Sequence, residues 1–155
     1  MFLALVLLLM LVLPAGSVLI ERVLVGSAED PLLLVGKWFV FWSVGARLFL
    51  AGLRQCVRPE FTAETILRIE SKEAGVLVRE LGFANLAMGT VGLCSLAVPR
   101  WVSPGAVAGA IFLGLAGIQH VTRKGRNHLE NLAMVSNLFV CGVLLLYCFG
   151  VIARR

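Results

Sequence analysis

Six polar residues stand within or at the ends of long apolar runs: Arg47, Glu80, Asn85, Gln119, His120 and Asn137. An arginine and a glutamate can neutralise one another or set the charge of a binding cavity. Amide side chains donate and accept, so Asn85, Gln119 and Asn137 can orient a polar head group. Histidine titrates near neutrality, and His120 with Glu80 could serve as base and acid. The stretch RELGFANLAM, residues 79–88, places two opposite charges and an asparagine together at the mouth of an apolar run. Ionisable groups in hydrocarbon are costly; they normally face a bundle interior and pair, or line a wet cavity. Arg47 and Glu80 are therefore expected to pair, and Arg79 to snorkel towards the headgroups as an anchor. The plainer readings are also physical. Asn85 and Asn137 can simply bond across helices, His120 can be an interfacial side chain near Arg123, and His128 a solvated loop residue.

The elements that must carry these groups follow from hydropathy. Of 155 residues, 59% are hydrophobic and 15% charged, with a mean hydropathy of +0.94, too apolar for a chain that must cover its core with polar surface. Residues 2–20, 101–122 and 132–153 carry no Asp, Glu, Lys or Arg. A helix needs about 20 apolar residues to cross a bilayer. The fold expected is all-α: one integral membrane bundle of about five transmembrane helices, at 2–20, 32–53, 75–98, 105–122 and 131–153, with one short interfacial helix. Residues 2–20 lack a basic n-region and a small-x-small cleavage site, so they read as a retained first span rather than a secretory signal. GSAED with Pro31 marks the first turn, PRWVSP the third and RKGRNHLE the fourth. Residues 59–72, the longest connection, have helical spacing: Phe61, Ile66 and Ile69 can lie on a membrane while Glu64, Arg68 and Glu70 face water. A lid over a site is the sharper reading of this segment.

Basic residues set the expected orientation. The second and fourth connections hold Arg54, Arg58, Arg68, Lys72, Arg123, Lys124 and Arg126; the other side holds Arg22, Arg100, Arg154 and Arg155. The richer side is expected to be cytoplasmic, with the N-terminus inside and the C-terminus outside. Arg47 then lies about 10 Å below that surface at 1.5 Å per residue. Glu80 and Asn137 fall at a similar depth and Asn85 deeper, while the outer half is almost purely apolar. Small residues let membrane helices approach. Gly82, Gly89 and Gly92 share a stripe with Asn85, and Gly109, Gly114 and Gly117 form a face leading to His120. These faces are expected to meet one another and the Asn137 face of the fifth span. LAGLRQ and LAGIQH, and two copies of NLAM, hint at a parallel repeat of a two-span unit.

Other chemistry is not signalled. There is no HExxH, P-loop or GxSxG, no paired histidines for a metal centre, and no recognisable catalytic motif. No metal is expected, and no cofactor can be named. The four cysteines, Cys56, Cys94, Cys141 and Cys148, form no CxxC pair and read as reduced small hydrophobes. The net charge of +5 reflects loop residues beside spans rather than a nucleic-acid surface.

The segment ELGFANLAMGTVGL, residues 80–93, followed by IFLGLAGIQHV, residues 111–121, resembles an uncharacterised family of small prokaryotic multi-pass membrane proteins. The resemblance implies five hydrophobic segments and singles out Glu80, Gly82, Phe83, Asn85 and His120. In the family's pattern the second span ends in a histidine, where this chain has Arg54 and Gln55, which counts against a two-histidine ligand set. The resemblance carries no activity.

Together these readings describe a multi-pass protein of the prokaryotic inner membrane with a cytoplasm-facing intramembrane polar pocket. It would bind a small amphipathic molecule such as a lipid or quinone through Arg47, Glu80, Asn85, Gln119, His120 and Asn137. The alternatives are an accessory subunit of a larger membrane complex and, third, a small proton-coupled transporter. The expected partners are the bilayer, the amphipathic ligand, and further copies or a larger complex.

Overall fold

The computed structural model describes residues 2–66, 72–122, 124–125 and 128–154. Among them there is no strand. Five helices are long and apolar enough to cross a membrane: α1 Ala4–Leu24, α2 Pro31–Val57, α3 Glu73–Cys94, α4 Pro99–Thr122 and α5 His128–Ile152.

Local chemistry sets the boundaries. The Asp30 carboxylate accepts from the Leu32 backbone N–H at 2.8 Å, and Pro31 follows at the first helical position, where no N–H is needed. α2 therefore begins on that cap and runs on to Val57, past the expected end at Leu53. α3 stops at Cys94, short of the expected Val98. Its chain turns over residues 95–98, with Ser95 Oγ bonded to the Gly92 carbonyl at 2.7 Å and Pro99 following. PRWVSP is not wholly a turn. Pro99–Trp101 form a 3₁₀ turn, and the α-helix starts at Val102 with Pro104 in its first turn, where proline costs no hydrogen bond. His128 opens α5 instead of lying in the loop, and it is exposed. Gly26 and Gly125 adopt positive φ (67° and 74°) in two of the turns.

α1 and α2 are not uniform. Leu8–Val12, Ile20–Leu24 and Val40–Ala46 are π-helical. Two of these stretches meet, and Ser43 Oγ donates to the Leu9 carbonyl at 3.3 Å.

α2 packs along α3, and α4 along α5; α1 lies on α2. The core sits between α2, α4 and α5, where Val40, Val44, Ala106, Leu113, Val140 and Leu144 are buried. The glycine stripe of α3 is buried as expected, but against α2. A Cβ on Gly45 would stand 2.7 Å from the Gly92 carbonyl carbon, and one on Gly52 2.7 Å from the Gly82 carbonyl oxygen. Gly89 fits against the Phe49 backbone. The expected meeting of the α3 stripe with the α4 face is thus corrected: α2 supplies its own glycines and takes that place. On α4, Gly109 faces Val44 and Leu144, while Gly114 and Gly117 face Cys141 and Leu138 of α5.

The connection after α2 is π-helical over Phe61–Ile66. Ala63 packs with Ala74 and Val78 of α3, so this piece rests on the bundle. Arg68, Ile69 and Glu70 lie outside the described residues.

The end opposite the N-terminus is less apolar than expected. Glu21 of α1 accepts from Lys37 Nζ at 2.7 Å and from Trp38 Nε1 at 2.6 Å, and Trp42 Nε1 donates to Ser17 Oγ at 3.0 Å. These bonds join α1 to α2.

Candidate functional site

The C-terminal part of α2 carries Arg47, Ala51, Arg54 and Gln55. Steps of four, three and one residues set them on one face. That face, with Asn85 of α3, His120 of α4 and Asn137 of α5, encloses a cavity of about 200 Å³. Leu81, Phe112, Leu113 and Ala133 add apolar walls, and Phe61 and Thr62 of the connection close over it. One water needs roughly 10–15 Å³ on such a measure, so the space is large enough for a molecular head group.

The polar geometry inside is specific. Arg47 Nη2 donates to Asn137 Oδ1 at 2.7 Å. Asn85 Nδ2 donates to Gln55 Oε1 at 2.7 Å. Asn85 and Asn137 are 4% and 5% exposed. Each of the two bonded pairs leaves one buried atom over: Arg47 Nη1 and Asn85 Oδ1 have no hydrogen-bond partner. Buried polar groups are nearly always satisfied, and an unsatisfied one calls for an explanation. Arg54 stands at the mouth with its guanidinium carbon 3.6 Å from the centre of the Phe61 ring, a cation–π contact.

A family model matches residues 1–153 of the chain. The chain belongs to DUF6790, a family of unknown function. No curated protein and no solved structure matches it.

In this DUF6790 chain four of the six expected site residues come together: Arg47, Asn85, His120 and Asn137 all line the cavity. Glu80 and Gln119 do not. Both are exposed, and Arg47 bonds Asn137 rather than Glu80. The expected Arg47–Glu80 pair is therefore corrected, and the reason is helical phase. Glu80 lies two residues from Gly82, about 200° around the helix, so the buried glycine turns it outward. Asn85 lies three residues from Gly82 and shares its face. The same holds on α4: Gly117 is buried, Gln119 falls opposite it, and His120 falls on its side and is half-buried.

Sequence reasoning missed Gln55, Arg54, Phe61 and Thr62 as lining residues. The signal for the first two was their spacing from Arg47. Phe61 and Thr62 depend on how the connection folds back, which no local pattern states. Glu130, assigned to a basic turn, is instead 1% exposed in the first turn of α5 and is not among the cavity residues. Among the described residues no group of three or more His, Cys, Asp or Glu side chains is placed to hold a metal ion. The four cysteines are unpaired thiols.

Proposed function

We propose that this is a multi-pass protein of the prokaryotic inner membrane that binds a small amphipathic molecule in the cavity between α2, α3, α4 and α5. The observation that carries this reading is the pair of unpartnered buried atoms, Arg47 Nη1 and Asn85 Oδ1, both on residues that line one cavity. A bound head group would satisfy both once the side chains that cover the two atoms shift aside. Apolar walls from Phe112 and Leu113 would keep water from the seated head group. The membrane setting is supported by the outer surface, where Leu24, Leu146 and Phe149 are 78%, 72% and 65% exposed. Such a surface is unfavourable in water and neutral in lipid. The excess of basic residues beside the second and fourth connections supports a cavity facing the cytoplasm, with the N-terminus inside.

Native mass spectrometry of the protein purified in mild detergent tests the reading. A defined small-molecule adduct is expected. Ala116→Phe fills the cavity from α4 and should abolish the adduct, whereas Leu115→Phe, at a 64% exposed position next to it, should not. An adduct that survives Ala116→Phe lies elsewhere and removes this proposal.

One observation favours a second reading, a subunit of a larger membrane complex. Arg79, Glu80 and Phe83 are exposed on α3, and charges on the outside of a bundle are accommodated by a neighbouring protein. In that case the same spectra would contain a second polypeptide, and the chain freed of it would aggregate.

A further inference from the structure

We infer that the occupant of this cavity is an acid with its own hydrogen-bond donor and a hydrocarbon tail: an anion for Arg47, a hydroxyl or amine for Asn85, and a tail in the groove between α1 and α2. The inference rests on the cavity reading above and narrows it to one ligand class.

Charge comes first. Among the described residues the cavity lining holds two guanidinium groups, Arg47 and Arg54, and no aspartate or glutamate. Arginine stays protonated in proteins. Arg47 is opposed only by the neutral Asn137 amide, and its second nitrogen is buried and unpartnered. A buried cation without a counter-charge is strongly unfavourable. An anionic ligand would supply that charge, and a planar guanidinium suits a carboxylate or phosphate. Arg54, steadied on Phe61, adds a second positive group at the mouth.

Hydrogen-bond polarity comes second. Asn85 gives one N–H to Gln55, and its carbonyl oxygen is buried without a partner. An acceptor-only head cannot satisfy that oxygen. A head with a hydroxyl or amine beside its anionic group can.

The tail follows from a second cavity. A groove of about 120 Å³ also borders Arg47 and Arg54 and is otherwise lined by Leu5, Val6, Leu9, Leu50 and Ala51. Arg47, Ala51 and Arg54 border both spaces. A head on the arginines therefore has an apolar slot beside it, open at Leu5 and Leu50, which are 42% and 45% exposed.

Three lipids with matched tails separate these requirements. Phosphatidylglycerol has an anion and hydroxyls, phosphatidylmethanol has the anion alone, and phosphatidylcholine has neither a net negative charge nor a donor. Native mass spectrometry in lipid-doped detergent should rank them in that order, each step about tenfold in apparent affinity. Soluble glycerol 3-phosphate, head without tail, should not displace phosphatidylglycerol. Arg54→Gln should reduce the preference for the two anionic lipids while leaving the Arg47–Asn137 bond in place, and Arg47→Met should abolish it. The ranking in the unmodified protein carries the test even where Arg47→Met does not fold. Equal binding of phosphatidylmethanol and phosphatidylglycerol overturns the donor assigned to Asn85. Displacement by glycerol 3-phosphate overturns the tail. Phosphatidylcholine binding as tightly as the anionic lipids, yet lost in Ala116→Phe, removes the acid and keeps the cavity. Binding of all three lipids that ignores Ala116→Phe removes both.

Discussion

Arg47 is held by one bond to Asn137 and not by a carboxylate. A hydrogen bond to a charged group is worth about 1.5–3 kcal/mol, so Asn137→Leu should cost about 2 kcal/mol of stability in detergent. Arg47→Met should cost less, because it removes the same bond together with a charge that has no counter-charge, and the double variant should cost less than the sum of the two, since both changes remove one interaction. Chemical denaturation of the four proteins measures the cycle, and additive losses would mean that the two residues are uncoupled. Glu80→Gln, at an exposed position, should stay within about 0.5 kcal/mol of the parent. A second residue-scale prediction concerns Asp30, outside the helices. The Leu32 backbone N–H, and after it the Arg154 guanidinium, hold its carboxyl below the usual carboxylate range, against an opposing effect of partial desolvation. A lowered pKa means that the ionised form is favoured by folding. The contribution is full above the ordinary carboxylate pKa and is lost as pH falls through the lowered one. Melting temperatures taken from about pH 6 down to about pH 2 should therefore contain an acid-side fall that Asp30→Asn removes, because asparagine can cap the helix but does not titrate.

Between elements, backbone contact decides the packing. In lipid, apolar side chains gain little by leaving the solvent, so helices associate through close fit. α2 and α3 achieve it with Gly45 set against Gly92 and Gly52 against Gly82. An added methyl at Gly45 meets main-chain atoms, which cannot rotate away. Gly45→Ala should destabilise by about 1–3 kcal/mol. Gly142 has nothing within 4 Å of its would-be Cβ, and Gly142→Ala should be neutral or stabilising by up to about 1 kcal/mol. Thermal unfolding of the two variants distinguishes a specific α2–α3 seam from a general intolerance of glycine replacement. The π-helical stretch Val40–Ala46 belongs to the same scale. It immediately precedes Arg47, so it helps set the direction from which that side chain enters the cavity.

For the molecule as a whole, the proposed topology carries the prediction. With native cysteines replaced, a thiol at Ala28, an exposed position in the first turn, should react with an impermeant reagent in intact cells. A thiol at Lys124, exposed in the fourth connection, should react only after the membrane is opened. The reverse pattern would turn the cavity towards the outside. The bundle that this test orients has two tightly packed pairs, α2 with α3 and α4 with α5, and α1 laid on α2 through Glu21, Lys37 and the two tryptophans.

Length, hydropathy and helical phase, all local properties, determined five long apolar helices and their turns to within a few residues. They also carried more than was drawn from them: the phase of Gly82 and Gly117 already turned Glu80 and Gln119 away from the faces that hold Asn85 and His120. Pairing was not local. Whether the α3 glycines meet α2 or α4 depends on which neighbour offers its own backbone at the matching height, and Gly45 and Gly52 of α2 do so. Arg47 likewise had Glu80 and Asn137 at similar depths in the sequence. Depth is one coordinate, and only the packing of α2 against α5 supplies the other two that place its guanidinium on Asn137.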